Sequence, residues 1–219
     1  MSPATATRSI RRKAMPASAR RRSVVRRRRR RALLAVSVLA LGVGAFVLAA
    51  PLFRVAVSEL TLPLADQEII RAQAARKRLD PALIAAVIYA ETKFNARPSA
   101  AGAQGLMQIM PQTAQFLARR SGATTFTTAD LASPAVNIAY GSYYLRYLLD
   151  HYHGNTMLAI AAYNGGQTNV DRWVAEARAR GQGLHISQIP FPETRDYVLR
   201  VLQAQRDYRR TYASQLGYP

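Results

Sequence analysis

The spacing of apolar and polar residues divides the 219-residue chain into three stretches. Residues 1–31 show no apolar periodicity that could build a core, so they are predicted to be disordered. Residues 32–53 run for 22 positions without a charged side chain, and a helix of that length spans about 30 Å of hydrocarbon. The pattern therefore predicts a polar tail, one transmembrane helix and a separate domain beyond residue 54.

The pattern of the remaining residues is typical of a mostly α domain. Ala, Leu, Arg and Gln dominate, and no run of alternating β-branched residues is present. Asp80-Pro81 and Ser133-Pro134 each place an N-cap residue before a proline, which favours a helix start. Helices are predicted near 65–78, 81–94, 111–120, 134–152, 155–163, 167–180 and 193–210, with an ordered loop at 181–192. We expect a linker at 54–63, the folded domain at 64–212 and a C-terminal tail at 213–219.

The net charge of +19 first suggests a nucleic-acid partner, but its distribution changes that interpretation. Residues 1–54 hold 14 basic and no acidic residues, which leaves 17 basic and 12 acidic residues for the rest of the chain. The arginine run before residue 32 predicts a cytoplasmic N-terminus and an extracytoplasmic domain. The basic tail suits anionic lipid, and no nucleic acid is expected as a partner.

A cleaved signal peptide is the alternative interpretation of residues 32–53. The apolar part of a signal peptide usually covers 7–15 residues, and this stretch is longer. Pro51 directly after Ala49-Ala50 is also unfavourable beside a cleavage site. We therefore expect a single-pass protein of the cell membrane, which would become a secreted protein if the segment were cleaved.

The cysteine and histidine counts exclude several kinds of chemistry. The sequence contains no Cys and three His. Structural disulfides, thiol nucleophiles, iron–sulfur clusters and Cys-type zinc sites are thereby excluded. No metal and no cofactor is expected.

Glu91 is the strongest candidate for a chemical role. On a 3.6-residue period it shares one helix face with Ile84, Val87 and Ile88. A carboxyl group at the end of an apolar stripe loses hydration, which raises its pKa and suits a general acid. The alternative is a glutamate that turns to solvent or pairs with a nearby basic residue.

Two further segments have features of a ligand groove. Residues 102–111 (GAQGLMQIMP) combine glycines with the amide of Gln108 and the thioether of Met107, which suit contacts with sugar hydroxyls and rings. Core packing is the alternative for Met107. Tyr163 and Asn164 end a helix, where Asn164 is equally explained as a local cap. Glu193 is explained as well by the N-terminal dipole of the last helix.

Taken together, these motifs resemble the lysozyme-like soluble lytic transglycosylase domain, a family that cleaves bacterial peptidoglycan. They occur in the family's order over roughly residues 64–212. One departure is Thr92, where the family usually has Ser, although the hydroxyl is kept. The matching residues are Glu91-Thr92, Ser99, the 102–111 stretch, Asn137-Ile138 with Gly141, Ala161 through Gly165, Ile189-Pro190-Phe191, Glu193-Thr194-Arg195 and Tyr197-Val198.

The resemblance implies a lysozyme-like fold and a catalytic role for Glu91 alone. The neutral acid would protonate the glycosidic oxygen between N-acetylmuramic acid and N-acetylglucosamine. The carboxylate would then take the proton of the muramic C6 hydroxyl, which attacks C1 and leaves a 1,6-anhydro end. The residues implied to bind the glycan strand are Ser99, Met107, Gln108, Tyr163, Asn164, Glu193 and Tyr197.

Two alternatives remain open at the level of sequence. A muramidase of the same fold would admit water and leave a reducing end. A non-catalytic, membrane-tethered glycan-binding protein would keep the groove without the reaction. Glycosidases normally use two carboxylates, and Asp130, Asp150 and Glu193 are the candidates for a second one. None of these lies beside Glu91 in the matching motifs.

Overall fold

A computed structural model describes residues 62–219, and within this range the regular secondary structure is helical apart from one isolated β-bridge. The predicted tail, the predicted transmembrane segment 32–53 and most of the predicted linker lie outside the described residues. No helix within 62–219 has the length and apolar character needed to cross a membrane. The α-helices are α1 (Gln67–Lys77), α2 (Pro81–Thr92), α3 (Pro111–Ser121), α4 (Pro134–His151), α5 (Thr156–Gly165), α6 (Gln167–Ala179) and α7 (Pro192–Thr211).

The predicted mostly helical domain is confirmed. Each of the seven predicted helices has a counterpart, and two 3-10 helices, Thr128–Ala132 and Ile186–Gln188, are added in the connections. The second helix ends at Thr92 instead of residue 94 because Lys93 and Phe94 take left-handed backbone angles, with φ of 50° and 61°. Such angles stop a right-handed helix.

The central element of the domain is α2. Every residue from Ala82 to Ile88 is at most 3% exposed, so the helix is covered on all sides and not only along the predicted apolar stripe. A helix that is apolar all round is stable only inside a core. The long helix α7 packs against α2 and also against α5, while α1 packs against both α2 and α4. Glu91 therefore lies where a buried helix emerges from the core.

One carboxylate ties together the start of α2 and the end of the chain. Asp80 is the N-cap of α2, and its Oδ1 accepts a hydrogen bond from the backbone N–H of Ala82 at 3.0 Å. Its Oδ2 accepts from Arg209 and from Gln205 on α7, both at 2.5 Å. The hydroxyl of Tyr218 donates to Oδ1. The position of the central helix along α7 thus depends on Asp80.

The segment 213–219, predicted as a tail, packs on this same region. Leu216 is 2% exposed, and Arg71 of α1 donates to the backbone carbonyl of Gln215 at 3.1 Å. At the end of α7 and just after it, the hydroxyl of Tyr208 donates to the carbonyl of Pro63, and that of Tyr212 donates to the carbonyl of Leu62. Both ends of the described chain are therefore held at the C-terminal end of α7.

We predict that Asp80→Ala lowers the free energy of unfolding by about 2–3 kcal/mol, because it removes a helix cap and leaves several donors without their acceptor. Urea denaturation of the full chain in detergent, followed by the fluorescence of the single tryptophan, Trp173, measures this change. Asp150→Ala is the control, since Asp150 pairs with Arg146 at the surface and its loss should cost less than about 1 kcal/mol. Equal effects of the two substitutions would contradict the role given to Asp80.

Candidate active site

The carboxyl group of Glu91 meets a buried tyrosine from the last helix. Glu91 lies in the last turn of α2, and the hydroxyl of Tyr197 on α7 donates to its Oε1 at 2.7 Å. Tyr197 is only 2% exposed. The packing of α7 against α2 therefore fixes the orientation of this carboxyl group from the protein side.

Burial dominates the electrostatics of Glu91. Loss of hydration raises the pKa of its carboxyl group from the ordinary 4.5 to about 7. The hydrogen bond from Tyr197 and the positive charge of Arg200 lower this pKa, while the negative charge of Glu193 raises it further. At neutral pH the carboxyl group is therefore divided between its acid and its base form. The raised pKa that the sequence predicted for Glu91 is confirmed.

Tyr163 forms the other side of the Glu91 environment. Its hydroxyl donates to the backbone carbonyl of Met107 at 2.9 Å. Burial raises the pKa of Tyr163 well above its ordinary value, and the negative charge of Glu91 is the second cause. Its ring contacts that of Tyr144, with the centroids 5.3 Å apart. Tyr163 thus stays protonated and links the Glu91 region to the loop that precedes α3.

That loop is a short hairpin held by a buried amide. Gln104 and Ile109 form an isolated antiparallel β-bridge. The side chain of Asn137 on α4, which is fully buried, accepts from the N–H of Met107 at 2.7 Å and donates to the carbonyl of Gln104 at 2.8 Å. A Cβ on Gly105 would approach the Asn137 amide to 2.0 Å. Only glycine leaves room for this amide, which determines the shape of the loop.

Met107 differs from its predicted role. The residue is 0% exposed, and a Cβ on Gly141 of α4 would lie 2.3 Å from its sulfur. The thioether therefore packs in the core, as the packing alternative predicts, and does not border an open groove. The reason is that Gly141 has no side chain, which leaves room in the core for the side chain of Met107. Its backbone, held by Tyr163 and Asn137, is the part that shapes the site.

Gln108 lies on the partly exposed side of the same turn. Its backbone has a left-handed φ of 48°. Its amide nitrogen donates to the carbonyls of Gly105 at 2.8 Å and Arg97 at 3.0 Å. The side chain therefore holds the loop together, and it is half-buried.

Thr92 connects the loop to the helix that carries Glu91. Its hydroxyl lies 2.9 Å from the carbonyl oxygen of Leu106 and 3.2 Å from that of Ile88. Either carbonyl accepts its single proton. The hydroxyl that Thr shares with Ser thus has a structural function here, which explains how the departure from the family pattern is accommodated.

The other predicted site residues occupy three separate places. The Ser99 hydroxyl accepts from the N–H of Ala103 at 2.8 Å and closes the turn before the hairpin. Asn164 accepts from the buried hydroxyl of Thr194 at 2.8 Å, which joins the end of α5 to the start of α7. Glu193 is exposed in the first turn of α7. The contacts join Glu91 to Tyr197, whereas Ser99 and Asn164 contact other partners.

Sequence reasoning gave no individual role to three residues that shape the site. Asn137 and Thr194 appeared only within matching motifs, and Arg200 did not appear at all. Arg200 lies one helical turn beyond Tyr197, with its guanidinium carbon 5.9 Å from the centre of that ring. The i, i+3 spacing was the available signal. No group of three His, Asp or Glu side chains that could hold a metal ion occurs in residues 62–219.

Comparison with known proteins gives a consistent set of similarities. The Transglycosylase SLT domain matches residues 68–186. The soluble lytic murein transglycosylase of Escherichia coli (strain K12) is 32% identical over 154 residues, which are 69% of this chain and 24% of that protein. The membrane-bound lytic murein transglycosylase C of Serratia proteamaculans is 29% identical over 164 residues, 65% of this chain and 46% of that protein.

A solved structure agrees with this. The X-ray structure of an inactive mutant of the lytic transglycosylase Slt from Pseudomonas aeruginosa has a TM-score of 0.65 and 32% identity. The match covers 72% of this chain and 26% of that chain. The present chain thus spans about a quarter of the length of its soluble relatives.

We predict that Glu91→Gln makes the domain more stable at alkaline pH. The pKa of Glu91 is about 7 in the folded state against 4.5 ordinarily. Between these pH values the unfolded chain releases this proton while the folded chain keeps it, so the stability of the wild type falls as the pH rises. The loss is complete above pH 7 and amounts to about 3 kcal/mol. Glutamine has no such proton.

Urea denaturation of both proteins from pH 4 to pH 8 measures this difference. The variant should gain about 3 kcal/mol relative to the wild type across that range. The control is Glu176→Gln on α6, an exposed glutamate, for which the difference should stay within about 0.5 kcal/mol. A stability difference for Glu91→Gln that does not change with pH would contradict the raised pKa.

Proposed function

Because the chain belongs to the Transglycosylase SLT domain family, we propose that it is a peptidoglycan lytic transglycosylase with Glu91 as its catalytic residue. The bond cleaved is the β-1,4 bond between N-acetylmuramic acid and N-acetylglucosamine, and the product carries a 1,6-anhydromuramoyl end. The observation that carries the proposal is the carboxyl group of Glu91, half-buried at the end of α2 and hydrogen-bonded by Tyr197. The Pseudomonas aeruginosa relative offers support, since its inactive form has glutamine in place of a glutamate.

The first step uses the acid form of Glu91. Burial keeps a large fraction of the carboxyl groups protonated at neutral pH. The proton goes to the glycosidic oxygen, the bond between that oxygen and C1 of the muramic acid breaks, and the N-acetylglucosamine side leaves as an alcohol. The acetamide of the substrate stabilises the cation that develops at C1.

The second step uses the base form. The new carboxylate is stabilised by the hydrogen bond of Tyr197 and by the positive charge of Arg200, both of which lower the pKa of Glu91. It takes the proton of the C6 hydroxyl while the C6 oxygen bonds to C1, which closes the anhydro ring. Glu91 ends protonated, so no water is consumed and the acid is ready for the next cycle.

The proposed substrate contacts follow from exposure. Ser99, Gln108, Asn164 and Glu193 are at least partly accessible and are proposed to border the glycan strand. Tyr163 and Tyr197 act from the protein side, by holding the loop and the carboxyl group. Met107 contributes through its backbone, whose carbonyl anchors Tyr163.

We also propose that the enzyme acts next to the cell membrane. The uncharged stretch 32–53 and the arginine run before it indicate a single-pass anchor with the domain outside the cytoplasm. The similarity to a membrane-bound lytic murein transglycosylase C supports this location. A membrane-held domain would lie on the side where the peptidoglycan is, which connects the location to the substrate.

We predict that Glu91→Gln lowers turnover on purified peptidoglycan by more than about a thousandfold while glycan binding is kept, because glutamine preserves the shape but cannot donate and recover the proton. Mass spectrometry of the wild-type fragments should show muramic ends lighter by one water than hydrolytic ends, and borohydride should leave them unreduced. Glu176→Gln is the control and should be fully active. Reducible muramic ends would assign the reaction to a muramidase, and full activity of Glu91→Gln would refute the catalytic role.

We predict that Tyr197→Phe shifts the alkaline limb of the pH profile of kcat/KM to higher pH. The hydrogen bond from Tyr197 lowers the pKa of Glu91, so its removal raises that pKa above about 7 and extends the range in which the acid is protonated. The rate at the optimum should fall, since the carboxylate loses a stabilising partner.

The matched control for this shift is Tyr152→Phe. Tyr152 also donates to a carboxylate, that of Asp171, at 2.9 Å, but neither residue is among the groups that shift the pKa of Glu91. Its alkaline limb should coincide with that of the wild type. A limb that moves equally in both variants, or in neither, would contradict the role of Tyr197.

A further inference from the structure

The chain enters the described domain beside the C-terminal half of α7, where Leu62 lines the same surface cleft as Arg210. The hydroxyl of Tyr212 donates to the carbonyl of Leu62 at 2.8 Å, and Tyr208 donates to that of Pro63. The predicted transmembrane segment ends at residue 53, so residues 54–61 are all that separates it from Leu62. Eight extended residues reach at most about 28 Å. If the segment spans the membrane, this part of the domain stays close to the lipid surface.

The outer face of α7 carries two exposed arginines one helical turn apart. Arg206 and Arg210 are exposed and four residues apart, and Leu199 and Gln203 precede them on the same face, seven and three residues before Arg206. We call these two arginines the basic face. Asp207 pairs with Arg210 at 3.0 Å, whereas Arg206 donates to the neutral Gln203. The face therefore keeps an excess of positive charge.

The basic face borders a surface cleft that also contains the point of chain entry. The cleft has a volume of about 630 Å³. Its apolar part includes Leu62 and Leu199, and Leu199 is 51% exposed. Arg200 and Arg210 also line it. An exposed leucine among arginines on one side of a helix is the composition of helices that lie in a lipid interface.

The charge of α7 changes along its length. The exposed residues of its first two turns include Glu193 and Asp196, while those of its last two turns include Arg206 and Arg210. Arginines near a helix C-terminus are also favoured by the helix dipole, whether or not they bind a ligand. The helix α6 provides a comparison, because Arg178 and Arg180 are likewise exposed at its C-terminal end.

We propose that the basic face of α7 docks on the anionic phospholipid headgroups of the membrane that holds the chain. This rests on the membrane location given under the proposed function. Charge complementarity and the position of Leu62 select this occupant: the arginines match anionic headgroups, Leu199 matches the apolar boundary, and the chain arrives at this face. The docked domain presents Glu91 on the inner side of α7, at Tyr197, so that the membrane surface and the site lie on opposite sides of one helix.

The test uses the full chain in vesicles. Because the sequence has no Cys, Thr211→Cys places a single fluorescent label in the cleft, and Thr168→Cys places one on the exposed start of α6. Vesicles contain either phosphatidylcholine alone or 30% phosphatidylglycerol, with nitroxide-labelled lipid as quencher in both. We expect quenching at residue 211, but not at residue 168, only in the anionic vesicles. Salt at about 1 M, where the Debye length is about 3 Å, should abolish it.

Two double variants test whether docking depends on the basic face of α7 or on any pair of arginines at a helix C-terminus. Arg206→Gln with Arg210→Gln should weaken docking by more than about tenfold, whereas Arg178→Gln with Arg180→Gln, the same loss of charge on α6, should leave it unchanged. Equal quenching in both kinds of vesicle, equal effects of the two double variants, or a chain that does not float with the vesicles would each overturn the proposal.

The two proposals fail separately. Turnover of detergent-solubilised glycan should be the same in the wild type and in the Arg206→Gln, Arg210→Gln variant, because neither arginine belongs to the site. An inactive wild type that still shows lipid-dependent quenching would refute the proposed enzyme and keep the docking. An active wild type without quenching would refute the docking and keep the proposed enzyme.

Discussion

The complete burial of Ala82 to Ile88 within α2 is the constraint on which the rest of the structure depends. Its residues Ala82 to Ile88 present apolar side chains in every direction, so the helix requires neighbours on all sides. Glu91 follows this stretch within one turn. The carboxyl group therefore loses hydration as a consequence of the packing that stabilises the domain, and its pKa rises. The helix that covers α2, α7, also brings Tyr197 to the carboxyl group.

A second constraint is the buried amide of Asn137. An unpaired amide in a core is unfavourable, and this one is paired with backbone groups of Gln104, Met107 and Leu131. These bonds attach the hairpin to α4, and Gly105 and Gly141 supply the space that the attachment needs. The hairpin then offers the Met107 carbonyl to Tyr163 and the Leu106 carbonyl to Thr92. The loop is thus fixed by backbone contacts more than by its own side chains.

The sequence predicted the helices well because their starts carry local signals. Asp80-Pro81 and Ser133-Pro134 determine where two helices begin, and glycines after α3 and α5 determine where two end. Glu91 was predicted for a similar reason, since the apolar spacing before it is local. The Met107 side chain was misplaced because its burial depends on Gly141, which is 34 residues away in the sequence. The contact of Tyr197 with Glu91 spans 106 residues and has no local signal either. The membrane segment and the individual sugar contacts stay predictions.

The balance of forces on Glu91 explains how one carboxyl group can serve both steps of the proposed reaction. Burial alone would hold the proton firmly, which suits an acid and disfavours the base that must follow. The Tyr197 hydroxyl and the Arg200 charge act in the opposite direction, because both stabilise the ionised form. The pKa of Tyr197 is itself raised far above its ordinary value, so it remains a donor throughout. The result is a pKa of about 7, near which gain and loss of a proton are similar in free energy. A carboxyl group at this balance does not need a second one beside it.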